Sequence, residues 1–253
     1  MKRIIYVLCF ALLAFVTSCQ KELAPLPGDD EPVVEIPDTT HPPTLLRVMI
    51  NGDSALVQLP YGYNENRKYA LLIGFAGGSK TESGNLDTVG GVAVKIRKGL
   101  TIDTNLIVIC PQNATGIFGP ATINNFFNTA IKKYAVDTTR LYLTGFKLGG
   151  QNVLNYLSDK PAYAARIAAA APVTSLPLDS LHFAQLSFAQ QTKVLLYCGK
   201  NDNLFKVNKL YADLMNATFI IYNDNRISFS KLYSPRNRFF DLDIYQSMLQ
   251  YKK

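Results

Sequence analysis

The segment 141–157, "LYLTGFKLGGQNVLNYL", constrains the fold more than any other stretch of this chain. Leu141–Thr144 have strand character, and Val153, Leu154 and Leu157 recur at helical spacing a few residues later. Between them lies only Gly145-x-Lys147-x-Gly149-Gly150. A strand that passes into a helix through one glycine-flanked residue is half of a β-α-β unit, and such units predict a parallel sheet covered by helices. Glycines on either side let the backbone turn sharply and push the central side chain, Lys147, into a pocket.

The rest of the chain repeats the alternation. Apolar runs at 69–75, 105–110, 140–145, 166–171, 193–198 and 218–223 read as strands. Amphipathic segments near 89–100, 121–134, 149–158, 204–216 and 238–250 lie between or after them. Ahead of these, "TLLRVMINGDSALVQLP" is two stretches around Asn51-Gly52, a strong hairpin signal. An open sheet of this kind takes ligands outside the carboxyl ends of its strands. The roughly 210 residues after Pro43 suit one domain with a full core. No internal repeat is present.

The first 43 residues read differently. Met1-Lys2-Arg3 precedes an apolar run from Ile4 to Val16 and then Thr17-Ser18-Cys19. This is the pattern of a secretory signal, with a core too short to span a bilayer. The ending Val16-Thr17-Ser18-Cys19 resembles a bacterial lipobox, which implies cleavage after residue 18 and lipid on Cys19. Residues 19–43 contain an acidic, proline-rich stretch with no apolar periodicity, so they read as a tether. Gln20 after the cysteine resembles outer-membrane lipoproteins, and Lys21-Glu22 is similar to surface-export signals of Bacteroidetes. The expected organisation is a signal over 1–18, a tether over 19–43 and a domain over 44–253, held at a bacterial cell envelope by its lipid.

The formal charge is +7, and removing the acidic tether leaves 23 basic against 13 acidic side chains in 44–253. A basic body next to a bilayer favours anionic lipid or an acidic glycan, although a scattered solvated surface gives the same count. No nucleic-acid motif accompanies the charge. Cys110 and Cys198 each end an apolar run without metal-ligand spacing, and read as buried structural thiols. No metal or nucleotide cofactor site is expected. Tyr61, Tyr63 and Tyr69 form either packing or a sugar-stacking surface. "SFSKLYSPRNRFF" is a solvated loop or a contact to anionic headgroups.

In this order the pieces resemble the α/β-hydrolase superfamily, in the esterase branch of polyhydroxybutyrate-depolymerase-like and feruloyl-esterase-like enzymes. "LPYGYNENRKYALLIGFAGG" is similar to that family's strand and oxyanion loop, with Phe75-Ala76-Gly77-Gly78 where His-Gly-x-Gly is usual. "YAVDTTRLYLTGFKLGG" is similar to its approach to the nucleophile elbow G-x-S-x-G. "VLLYCGKNDNLF" is similar to the Gly-x-x-Asp turn that delivers its acid, here Asp202. The resemblance implies a mostly parallel eight-stranded sheet with an N-terminal antiparallel hairpin and helices on both faces.

That family's chemistry needs a serine, a histidine base and an orienting carboxylate. Lys147 stands at the serine position, and no histidine follows Asp202; the two histidines are His41 and His182, the latter expected as a surface or half-buried residue of an amphipathic segment. The expected protein is therefore a scaffold without its triad, serving as a binding or interaction module. One arrangement is a Lys147–Asp202 ion pair across the old active site. Another is a pocket for an anionic ligand or acidic glycan, built from Phe75, Ala76, Lys147, Leu148, Asp202 and Arg226. The alternatives are a carboxylesterase with an unrecognised nucleophile, and Schiff-base chemistry by Lys147 itself.

Overall fold

The apolar runs pair into one sheet in the computed structural model, which describes residues 44–50, 52–78, 91–97, 102, 105–222, 232–234 and 243–253. The strands are β1 (Thr44–Ile50), β2 (Asp53–Leu59), β3 (Tyr69–Phe75), β4 (Leu106–Gln112), β5 (Val136–Phe146), β6 (Ala169–Val173), β7 (Lys193–Gly199) and β8 (Thr218–Tyr222). Their spatial order is β1-β2-β4-β3-β5-β6-β7-β8. β1 pairs antiparallel with β2, and β2 antiparallel with β4; all later pairs are parallel. Ile50 opposes Asp53, so the hairpin turns in two residues, with Gly52 at φ 87° as such a turn requires.

Helices cover both faces. α1 (Val92–Arg97) and α7 (Ile244–Leu249) pack on one; α2 (Pro120–Lys133), α3 (Leu148–Asp159) and α6 (Phe205–Met215) pack on the other. The period-2 rule sorts the central strand between the two layers: Leu71, Ile73 and Phe75 join the α2–α3–α6 core, while Ala70 and Leu72 join the α1–α7 core. Because β3 is buried on both faces, its sequence is continuously apolar instead of alternating. Each such aliphatic side chain contributes roughly 1.5–3 kcal/mol by burial.

The remaining elements are α4 (Pro161–Ala165), α5 (Ser180–Ala184) and a 3-10 turn at Leu186–Gln191, all between β5 and β7. Two boundaries differ from the sequence expectation. The strand expected at 140–145 begins at Val136, where Thr139 and Arg140 hydrogen-bond back to Asp137 and carry the chain into the sheet. The strand expected at 166–171 lies at Ala169–Val173, because Pro161 starts a short helix and the Ile167 amide closes it by donating to Ala164 O. The amphipathic segment expected around His182 is α5 plus the 3-10 turn. The signal, the tether with His41 and Cys19, Asn51, Arg226 and the loop after β8 lie outside the described residues, apart from Leu232–Ser234. No helix of the described residues is long and apolar enough to cross a membrane.

Candidate functional site

β3 lies between β4 and β5, so the chain leaves it in opposite directions before and after β4. The carboxyl ends of β3 and β5 therefore flank the switch point of the sheet, where such folds hold their ligands. Phe75 ends one strand and Phe146 the other, with Lys147 next in line.

Close approach, more than flexibility, explains the elbow glycines. A Cβ on Gly145 would lie 2.3 Å from the Gly149 carbonyl, and a Cβ on Gly149 would lie 2.6 Å from Phe75 O and 2.7 Å from Ala76 O. Neither glycine has positive φ; the strained residue is Lys147 itself, at φ 47° and ψ −106°. Such a conformation costs on the order of 1–3 kcal/mol and persists only when its surroundings fix it. Three backbone bonds do so: the Lys147 amide donates to Val173 O (2.9 Å), and Lys147 O accepts the amides of Gln151 (2.9 Å) and Leu176 (3.2 Å). Lys147 is thus the N-cap of α3, half-buried, with its ammonium 5.5 Å from the centre of the Phe146 ring.

The other expected site residues divide. Ala76 and Leu148 are half-buried beside the elbow, and the Leu148 Cδ2 approaches Gly116. Phe75 contributes backbone only: its ring is 1 % exposed and packs on Phe118 with centroids 5.4 Å apart. Asp202 follows β7 as expected. The Lys147–Asp202 ion pair, however, is absent; the ion pairs between described residues join Arg140 to Asp137, His182 to Asp179 and Lys209 to Asp213. The physical reason is local. Asp202 Oδ1 accepts the Leu204 amide at 2.9 Å and Asp202 O accepts the Phe205 amide at 3.0 Å, so the residue turns back to start α6.

The surroundings of Asp202 are filled with packing groups. Thr174, at φ 45°, shares a hydrogen bond with the Tyr222 hydroxyl (3.3 Å) and approaches the Cys198 thiol (3.9 Å). Burial pushes Tyr222 up to about 12 and, with Asp202 adding to it, Cys198 up to about 11. A thiol held protonated in this way is no nucleophile near neutrality. Cys110 is buried too, and burial raises it further. Both cysteines are buried, as expected.

One carboxylate–histidine pair was not anticipated from the sequence. His182 Nδ1 lies 2.7 Å from Asp179 Oδ2, and the His182 amide donates to Asp179 Oδ1, capping α5. The amide bond and then the imidazole bond hold the Asp179 carboxyl below its ordinary range. The His182 side chain is 12 % exposed, and its Nε2 is buried with no hydrogen-bond partner. Among the described residues no hydroxyl or thiol hydrogen-bonds to that nitrogen. Asp-x-x-His at the start of an amphipathic run was the available signal, since Asp is a strong N-cap.

Tyr63 and Tyr69 behave as packing. Tyr63 and Tyr69 lie ring to ring at 5.1 Å, the Tyr63 hydroxyl accepts the Ala135 amide, and the Tyr69 hydroxyl accepts the Asn64 amide. Among the described residues no group of three His, Cys, Asp or Glu side chains is placed to hold a metal ion.

No protein-family model and no curated protein matches the sequence. Solved structures do resemble it. A thermostable esterase superimposes with a TM-score of 0.61 at 12 % identity, over 83 % of this chain and 63 % of that one. S-formylglutathione hydrolase from Staphylococcus aureus gives 0.53 at 13 % identity, covering 76 % of this chain and 94 % of that one. A ferulic acid esterase gives 0.52 at 15 % identity, covering 76 % and 96 %. This chain thus spans under two thirds of the thermostable esterase and nearly all of the other two. Likeness at such identities is likeness of fold. With the strand order above, it shows an α/β-hydrolase fold of the kind esterases use.

Proposed function

We propose that this chain is a non-catalytic α/β-hydrolase-fold protein, lipid-anchored through Cys19 at a bacterial cell envelope, whose elbow binds an anionic ligand through Lys147. The observation that carries the reading is a lysine at the strained N-cap of α3, at the switch point of the sheet. The amino end of a helix is positive and disfavours a cation by roughly 0.3–1 kcal/mol, whereas a carboxylate or phosphate lying between the two is attracted by both. Attack on an ester needs a hydroxyl or thiol with a base beside it. Lys147 supplies neither, and the groups around Asp202 are engaged in packing.

An acidic glycan fits the basic body and the envelope setting. Calorimetry with uronic-acid oligosaccharides tests it: saturable binding is expected, weakened severalfold in Lys147→Gln and by added salt. Equal binding by that variant would remove Lys147 from the site. Anchoring is tested separately, by metabolic labelling with an alkyne fatty acid, which Cys19→Ala should abolish.

A second reading is favoured by the Asp179–His182 pair and by the esterases among the structural neighbours: a carboxylesterase whose nucleophile is unrecognised. Turnover of p-nitrophenyl acetate that saturates and is lost in His182→Ala would establish it. On the first reading neither the protein nor Lys147→Ser turns over appreciably, since the added hydroxyl has no base.

A further inference from the structure

Cations of the described residues gather at the amino edge of the parallel strands, opposite the elbow. Arg67 and Lys68 precede β3, Arg166 caps α4 ahead of β6, and Lys193 opens β7. α2 and α3 run back from the carboxyl edge, so Lys132 and Lys133 arrive here at the end of one and Lys160 after the other. The chain also ends here: the Lys253 amide donates to Thr139 O at 2.9 Å, with Lys252 beside it. All of these except Arg166 are exposed. Carboxylates are fewer at this edge. Arg140 takes Asp137 at 2.8 Å and Lys209 takes Asp213 at 2.9 Å, which leaves Glu65 and Asp159 among the described residues. The carboxyl edge is balanced by comparison, with Lys147, Lys200 and Lys206 against Asp53, Asp179, Asp202 and Asp243.

No carboxylate of the described residues lies within salt-bridge distance of Lys132, Lys133, Lys160 or Lys193. Three of these lysines lie over tyrosine rings instead: Lys133 is 5.6 Å from the centre of Tyr134, Lys160 5.3 Å from Tyr163 and Lys193 5.6 Å from Tyr251. An aromatic face attracts a cation without cancelling its charge. Like charges crowded on one edge repel one another, so the clustering calls for an anionic partner. A second observation is where the chain enters. Thr44 opposes Leu59, and β2 runs antiparallel to β4, so residue 43 joins the domain at this same amino edge.

We propose that the amino edge lies on an anionic phospholipid bilayer, with the elbow turned away from it. The proposal rests on the lipid-anchored reading above and extends it from the anchor to the folded domain. Lipid on Cys19 keeps the domain within the reach of residues 19–43, about 80 Å at full extension. The edge at which that stretch enters is the one that carries the charge. Lysine and arginine are drawn to an anionic leaflet over roughly one Debye length, about 8 Å at physiological salt. Lys147 follows the far end of β5, roughly 20 Å or more from this edge and outside that layer. Docking therefore leaves the elbow open to a ligand from the other side.

The protein to test is the chain from residue 19 with Cys19→Ala, which carries no acyl chain and keeps the compact unit Pro37–Lys253 whole. Sedimentation reads its partitioning onto vesicles of equal parts phosphatidylglycerol and phosphatidylcholine, and onto phosphatidylcholine alone. The anionic vesicles should retain it, less so as salt is added, and the neutral ones should not. Two pairs at the amino edge are then neutralised separately: Lys132→Gln with Lys133→Gln, and Lys160→Gln with Lys252→Gln. Lys200→Gln with Lys206→Gln removes the same charge from the carboxyl edge, and thermal melting checks that each variant is folded. Either amino-edge pair should weaken partitioning about ten-fold or more, and the other pair less than about two-fold. Equal weakening by all three pairs would reduce the effect to net charge and overturn the proposal, as would equal binding to neutral vesicles. Binding that appears only once Asp29, Asp30, Glu31, Glu35 and Asp38 are changed to their amides would assign the edge to the tether. Polygalacturonate binding that falls in the amino-edge pairs, with vesicle binding unmoved, would assign it to an acidic glycan. Loss of Cys19 labelling bears on the anchor alone, so the two readings fail separately.

Discussion

The elbow and the turn after β7 both follow strands of the sheet, and they are held by different physics within this one molecule. At the elbow the backbone is fixed by contact. Gly145 lies against Gly149, Gly149 against the carbonyls of Phe75 and Ala76, and the strained Lys147 is held by three backbone hydrogen bonds. These contacts are made by glycine and main chain, while the side chain at 147 lies over the Phe146 ring. Around Asp202 the arrangement depends on side chains, and each has a packing or capping duty: Asp202 starts α6, Asn208 ties Ser175, and Thr174, Tyr222 and Cys198 fill the interior.

Four measurements break or sharpen this contrast. Gly145→Ala forces a Cβ onto backbone that has no room to move, and should lower the urea-unfolding free energy by about 3 kcal/mol or more. A loss under about 1 kcal/mol would mean that the elbow adapts, and the contrast fails on that side. Asn208→Ala leaves the Ser175 backbone groups buried and unpaired, and should cost about 2–3 kcal/mol in the same experiment.

The third prediction concerns pH. Cys198 and Tyr222 have pKa values raised by burial, so the neutral forms are the ones the fold favours. Their contribution is fully present below the unfolded values, near 9 and 10, and is lost as pH rises through about 11 for Cys198 and about 12 for Tyr222. Unfolding midpoints should therefore fall from pH 9 upward. Cys198→Ala should make the decline between pH 9 and 11 shallower; an unchanged slope would show that the thiol titrates freely in the fold. The smallest effect belongs to Lys147→Gly. Glycine tolerates the positive φ, so the substitution should stabilise the chain by up to about 1 kcal/mol. Destabilisation would mean that the lysine side chain supports the elbow after all.

The elements legible in the sequence were those with contrast. Leu141–Thr144 followed by Val153, Leu154 and Leu157 marks a change of period that only a strand-to-helix junction explains, and Asn51-Gly52 marks the hairpin. The Ala-rich run around Arg166 has no polar beat to set its ends, so β6 was placed three residues early and α4 was unseen. Asp202 was located correctly by its Gly-x-x-Asp turn, but its partner was not. The reach of a lysine stem says nothing of a carboxylate already held by the next backbone amide.

The main-chain footing of the elbow has a practical corollary for anyone wishing to vary what this corner displays. The part of an acyl-transfer site that is hardest to invent, a reactive atom projected from a tensed corner, is already cast in glycine and main chain. A side chain exchanged at 147 would start from that corner, held by Gly145, Gly149 and main-chain hydrogen bonds.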